Sequence, residues 1–266
     1  MISSSGTSYR KKWNSRSAVA ELAFRLSVIC MYAVNRKRIL ALQRFQKNVL
    51  CFWKLMEEKS AQTSTDRRMN MTDKTLDYYN KNAQSFVSGT VSVKFTQIQD
   101  KFLEKLKPHA LILDFGCGSG RDTRYFLGKG YQVDAIDGSA QMCRIASEYT
   151  GIKVRQMLFQ DLKEHEKYDG IWACASILHL PPKELKEVFA KMLTALKTKG
   201  WIYTSFKYSE FTGERNGRYF TDFTIGTFQD FIQDMDNLRI EEHWNTGDVR
   251  PGRGEEKWLN LILQKK

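Results

Sequence analysis

Several things are scarce or missing in this 266-residue chain, and each absence removes a class of protein. No stretch approaches the roughly 18 uncharged apolar residues that a spanning helix needs, so no membrane insertion is expected. The first residues show no compact apolar run followed by a small-residue cleavage site, and no secretory leader is expected. The five cysteines, Cys30, Cys51, Cys117, Cys143 and Cys174, are scattered and odd in number. No Cys-x-x-Cys pair is present to start a zinc site or a redox motif, so no metal is expected and a reducing cytoplasm is the simplest location. Internal repeats are missing, as is low-complexity sequence beyond a short Ser-rich start. Of the four histidines, His109, His165 and His243 fall before the first strand, in a charged loop and on a late strand, which leaves His179 as the candidate for acid–base chemistry.

Acids are also scarce, but only at one end. Residues 1–70 hold 14 Lys/Arg against 4 Asp/Glu, so ten of the twelve net positive charges sit there and the remainder carries only +2. That remainder is not a strongly basic nucleic-acid binder. Within 1–70, residues 1–16 have little to bury. Ala18–Val34 and Ile39–Met56 then read as helices, with Leu22, Leu26 and Ile29 on one face of the first. Three readings stay open for this extension: a helical hairpin packing on the domain or a partner, a basic amphipathic segment for RNA or a membrane surface, or a stretch outside the functional protein. Met69 and Met71 stand where a self-contained domain over 71–266 would begin.

What is present is organised around Leu111–Arg121. An apolar run carrying Asp114 opens into Gly116-Cys117-Gly118-Ser119-Gly120, which reads as a strand, a tight loop and a helix N-terminus. Gly116, Gly118 and Gly120 let the backbone approach a ligand, and a nucleotide-like one is the first expectation. The dinucleotide fingerprint places its third glycine one residue later, and Asp114 would repel a pyrophosphate while suiting a cationic amino group. Two plainer readings remain: glycines that serve packing alone, and a nicotinamide site with a shifted turn.

The Asp-x-Gly-x-Gly-x-Gly run resembles motif I of class I S-adenosylmethionine-dependent methyltransferases. The resemblance extends over about residues 72–266 and looks closest to compact bacterial small-molecule enzymes loosely grouped with tellurite-resistance and thiopurine methyltransferases. It implies S-adenosyl-L-methionine as cofactor. It also implies an α/β, Rossmann-like seven-stranded sheet in order 3-2-1-4-5-7-6, with helices on both faces and ligands at the carboxyl edges of strands one, two and four.

Further residues are assigned along the chain. Tyr131–Asp137 reads as the second strand, and Asp137 at its end, followed by Gly138, can accept both ribose hydroxyls; Asp134, inside the strand, is the rival acid. Ser139 is an N-cap for a helix that Gly151 ends, and the third strand falls near Lys153–Gln156. By resemblance, Asp161 receives the adenine amino group beside the Leu162 backbone, unless it is simply a turn acid. Leu76–Phe86 looks like the Tyr-x-x-x-Ala segment that precedes motif I in related enzymes, which places Tyr79 at the cofactor's methionyl end or, more plainly, in packing.

Phe95–Leu106 has helical spacing until Pro108. Strand four is expected over Tyr168–Ala173, with small residues including Cys174 pressed against the ligand. His179 follows it as a catalytic base, or as a residue that caps the next helix or fixes the loop. Pro182–Lys197 reads as an amphipathic helix and Trp201–Phe206 as strand five. Lys207–Phe223 is a long aromatic and basic insertion expected to fold over the substrate. Its Arg215, Arg218 and Tyr219 are the substrate candidates, with surface pairing of the arginines to Glu210 and Glu214 as the alternative. A helix over Thr227–Asp234 and strands over Leu238–Trp244 and Glu256–Leu263 complete the sheet.

The expected activity is methyl transfer to a small-molecule acceptor by in-line displacement. One alternative is tRNA modification, because Arg218–Phe223 resembles the segment after strand five in wobble-uridine methyltransferases and the basic extension could meet phosphates. The other is a non-catalytic cofactor-binding or scaffold module.

Overall fold

Leu111–Phe115 (β1) is buried on both faces, as its apolar run requires, and it occupies the centre of a seven-stranded sheet. A computed structural model describes residues 74–250 and 252–266; the helices expected over 18–34 and 39–56, with the rest of the basic extension, lie outside the described residues. Gln132–Asp137 (β2) and Arg155–Gln156 (β3) extend the sheet on one side of β1, all parallel. Tyr168–Ala173 (β4) and Leu196–Lys207 (β5) extend it on the other, also parallel. Lys257–Lys265 (β9) and Leu238–Gly247 (β8) close that edge as an antiparallel pair. The order β3-β2-β1-β4-β5-β9-β8 is the expected one, with two strands added to the numbering by a separate hairpin.

Alternation along the strands feeds two apolar layers. Leu113, Phe115, Ile171, Ala173, Ile202 and Phe206 point to one face, where Pro182–Ala195 (α5) and Ile225–Ile232 (α6) cover them with Leu185, Phe189, Met192 and Phe228. Ile112, Trp172, Tyr203 and Ile262 point to the other, against Thr96–Leu103 (α2) and Arg121–Gly128 (α3). Trp172 and Tyr203 stack at 4.0 Å there, both fully buried. Each such side chain contributes about 1.5–3 kcal/mol by leaving water. The remaining helices are a helical segment over 74–81, Ala83–Ser88 (α1) and Ala140–Thr150 (α4).

Two sequence expectations change. The helix after β4 ends at Ala195 rather than Lys197, because Leu196 adopts an extended backbone, is fully buried and pairs with Tyr168, so β5 starts inside the apparent helical period. The Lys207–Phe223 insertion is not an open loop. Thr212–Arg215 (β6) and Arg218–Thr221 (β7) form an antiparallel hairpin, with Arg215 opposite Arg218 across the Asn216–Gly217 turn. Both turn residues have positive φ, 51° and 73°, the geometry of a two-residue hairpin turn.

Candidate functional site

The carboxyl ends of β1, β2 and β4 open into a cavity of about 540 Å³. Its walls come from the loop after β1, the loop after β2, Met157–Gln160, Cys174–Leu180, the β6–β7 hairpin, and Tyr79 and Phe86 of the preceding helices. The position is the topological switch point of the sheet, where connections from neighbouring strands diverge to opposite faces.

The glycine loop is shaped by its own hydrogen bonds. Gly116 N and Cys117 N both donate to the Ile136 carbonyl, at 3.0 and 2.9 Å, and Gly120 N donates to Cys117 O. Gly118 N donates to Asp137 Oδ2 at 3.0 Å, and Ser139 N donates to Asp137 Oδ1 at 2.8 Å. The loop therefore spends the N–H groups of Gly116, Cys117 and Gly118 on β2 and on Asp137, and the helix that follows carries Asp122 in its first turn, which opposes a pyrophosphate there. Asp137 stands on the cavity wall with both oxygens oriented and a lone pair left on each. Burial raises its carboxyl above the ordinary value, and the two backbone donors oppose that rise. Gly138 lies beside it on the wall, tightly covered by Leu76 of the 74–81 segment.

Of the expected site residues, Tyr79, Gly116, Gly118, Asp137, Gly138, Cys174, His179, Arg215 and Arg218 line the cavity. The others do not. Asp114 is 2% exposed, receives the Thr123 hydroxyl at 2.5 Å, and has its carboxyl pushed far up by burial and by the adjacent Asp122 carboxylate. Turned to Thr123 beneath the loop, the carboxyl does not reach the cavity wall. Gly120 has φ +78°, and a Cβ there would meet Thr150 at 2.8 Å and Ala146 at 3.2 Å, so this third glycine serves the packing of α3 on α4. Asp161 is exposed on the short helical turn Phe159–Asp161 and Leu162 is in the core, while Met157, Leu158, Phe159 and Gln160 form that wall. Tyr219 lies behind the wall, where its carbonyl holds His179 Nδ1.

His179 is held at both nitrogens. Nδ1 lies 2.7 Å from the Tyr219 carbonyl and must donate to it, which leaves Nε2 as acceptor for the Tyr79 hydroxyl at 2.8 Å. Burial lowers its pKa from 6.5 to about 4, with Arg218 and Arg215 pushing in the same direction. A neutral imidazole with an occupied Nε2 is suited to fixing Tyr79 rather than to taking a proton from substrate. Unfolded, the same histidine titrates near 6.5, so between that value and about 4 the unfolded chain binds the extra proton. Stability contributed by neutral His179 is therefore present above pH 6.5 and lost as pH falls towards 4. Urea titrations of wild type and His179→Gln are expected to show a difference in pH slope over that window, worth roughly 3 kcal/mol in total; parallel curves would mean that His179 takes up its proton in the folded chain as it does in the unfolded one.

Some wall residues escaped the sequence reading. Asp122, two residues past the last glycine, accepts from Trp172 Nε1 at 2.8 Å, Gln99 Nε2 at 2.6 Å and Arg121 Nε at 2.7 Å. It braces α3 against β4 and α2. Arg121 also reaches Cys174 Sγ at 3.9 Å, and burial pushes that thiol up to about 12, so Cys174 is an inert part of the wall. The β8–β9 connection brings Asp248 and Arg250 to the cavity, beside Trp258 at the start of β9. Arg215 Nη2 donates to both oxygens of buried Asp222, at 2.8 Å each, and the side chain is not held by Glu210 or Glu214.

Comparison with known proteins bears on what such a site belongs to. Residues 112–200 match the family described as "Methyltransferase domain". That stretch runs from β1 into β5 and carries the glycine loop, Asp137 and His179. The chain is 30% identical over 89 residues to an uncharacterized methyltransferase of Staphylococcus carnosus (strain TM300), covering 34% of this chain and 43% of that one. It is 30% identical over 123 residues to YqeM of Bacillus subtilis (strain 168), named as a methyltransferase, covering 41% and 49%. The chain thus spans less than half the length of these curated relatives. Among solved structures, a 1,6-didemethyltoxoflavin-N1-methyltransferase of Burkholderia thailandensis with bound S-adenosylhomocysteine shares the fold, with a TM-score of 0.56 at 21% identity over 71% of this chain and 89% of that one.

Proposed function

We propose that this protein is an S-adenosylmethionine-dependent methyltransferase that acts on a small-molecule acceptor. One observation carries the reading: Asp137 ends β2 on the rim of the cavity, its two oxygens oriented by Gly118 N and Ser139 N. That is the arrangement needed to receive a pair of vicinal ribose hydroxyls. Leu158 and Phe159 supply flat apolar wall for a purine, and Gly116, whose Cβ would fall 2.5 Å from Ser176, keeps the backbone low beneath it. Bound there, S-adenosylmethionine supplies an electrophilic methyl with a good leaving group. The chain's task is then to align a nucleophile and exclude water. Tyr79, fixed by His179, and the β6–β7 hairpin line the part of the cavity that would receive the acceptor.

The small-molecule class is supported by the size of the cavity and by the hairpin that walls it. Placement near tellurite-resistance and thiopurine enzymes, and the division into an extension over 1–70 and a domain over 71–266, rest on the sequence. No helix among the described residues is long and apolar enough to cross a membrane. Tritiated methyl donor incubated with a metabolite extract and, separately, with total RNA is expected to label the small-molecule fraction. Label confined to RNA would move the acceptor to nucleic acid. Intact cofactor binding with no label in either would make the chain a binding module.

A further inference from the structure

The cations on the cavity wall are nearly all matched by carboxylates. Arg121 is held by Asp122 at 2.7 Å, Arg215 by Asp222 at 2.8 Å, Arg250 Nε by Asp248 at 2.9 Å, and Lys207 by Glu256. Arg253 and Lys257 are exposed to solvent. Arg218, half-buried, meets no carboxylate among the described residues. Its guanidinium lies 4.3 Å over the Tyr78 ring and 5.1 Å from Phe220, and Nη1 reaches the Tyr79 hydroxyl only at 3.4 Å. Its Nε is buried with no hydrogen-bond partner. Stacking on aromatic faces offsets part of the cost of withdrawing a guanidinium from water, but leaves its donors unmet.

We propose that Arg218 binds a carboxylate on the methyl acceptor, so that the substrate class is a flat, monoanionic organic acid. The identification of that acid as the acceptor rests on the methyl-transfer reading of the cavity. One unmatched guanidinium provides one positive charge and parallel donors in a plane, the complement of a carboxylate. A phosphate dianion would need a second free cation. Lys207, Arg215, Arg250 and Arg253 are already engaged, Lys257 is solvent-exposed, and Asp222, Asp248 and Glu256 on the same wall would repel a second negative charge. Tyr79, Phe86 and Phe220 give the carrier an aromatic lining. Because the Tyr79 hydroxyl lies 2.8 Å from His179 Nε2 and 3.4 Å from Arg218 Nη1, a carboxylate on Arg218 seats the rest of its molecule beside the Tyr79–His179 pair.

The test reads the arginine itself. In the nitrogen-labelled full chain, the Arg218 Nε–H resonance is identified by its loss in Arg218→Lys. It is then followed during titration with benzoate at constant ionic strength, with benzamide and inorganic phosphate as comparisons. A saturable shift is expected with benzoate, none with benzamide and a weaker one with phosphate. Arg218→Lys, which keeps the charge and loses the fork, is expected to bind benzoate about tenfold more weakly. A resonance that benzoate leaves unmoved, or that benzamide or phosphate moves as strongly, overturns the proposal. Titration of the same samples with S-adenosylhomocysteine separates the two readings. Cofactor binding without a benzoate response overturns the carboxylate site alone. A benzoate response without cofactor binding supports the anion site and overturns the methyltransferase reading.

Discussion

Gly116→Ala is expected to destabilise the fold by about 2–4 kcal/mol and to abolish cofactor binding. Two separate costs add. Gly116 has φ +88°, where an L side chain costs about 1–2 kcal/mol. An added Cβ would also sit 2.5 Å from Ser176 Cβ and 3.0 Å from the tip of Phe159. Ser176 cannot easily give way, because it is buried and its hydroxyl donates to the Phe115 carbonyl at 2.6 Å. Relief must therefore come from the loop that lines the cavity. Gly151→Ala is the control: φ is +79° but nothing lies within 4 Å of the added carbon, so only the conformational cost of about 1 kcal/mol applies. Urea denaturation of both variants, with S-adenosylhomocysteine titration of the folded fraction, checks the difference; equal losses would mean that loop and strand are not in contact.

Asp137→Ala is expected to weaken S-adenosylhomocysteine by about 1–3 kcal/mol, or roughly 5- to 150-fold, the scale for losing hydrogen bonds to a charged acceptor. The carboxylate ties Gly118 N to Ser139 N, and in the proposed site it also accepts the ribose hydroxyls, so its loss would remove two ligand bonds and loosen the two loops they approach. Asp114→Asn, two residues before the first glycine, is expected to leave affinity unchanged, since that carboxyl is turned to Thr123 beneath the loop. Calorimetry on both variants distinguishes the acid on the wall from the acid under it; matched losses would place Asp114 in the site after all.

The contrast between those two acids shows what could be read from residue order. Strand four fell on Tyr168–Ala173, and the Ser139 cap and Gly151 terminator of α4 were visible, because local periodicity and turn chemistry specify them. Asp137 was legible because a strand end fixes where the next residue points. Asp114 was not, since its direction depends on Thr123, nine residues away and on another element. The packing of Gly120 on α4 was not legible for a related reason: whether a glycine makes room for a ligand or for a helix depends on an element that the spacing of the motif does not mention. The β6–β7 hairpin carries a local signal in Asn216–Gly217, a pair suited to a two-residue turn. The Lys207–Asp248 ion pair joins segments some forty residues apart and has no signature in either, whereas Arg250 pairs with Asp248 only two residues away.

The central claim is that the cavity at the ends of β1, β2 and β4 accepts an adenosyl thioether and not a dinucleotide. Its glycine loop has turned the N–H groups of Gly116, Cys117 and Gly118 to β2 and Asp137, and the first turn of α3, where a pyrophosphate would sit, carries Asp122. Calorimetric titration of the wild-type chain with S-adenosylhomocysteine and, in parallel, with a nicotinamide dinucleotide tests this most directly. The account predicts saturable one-to-one binding of S-adenosylhomocysteine and no measurable binding of the dinucleotide. Binding of the dinucleotide with none of S-adenosylhomocysteine would contradict it.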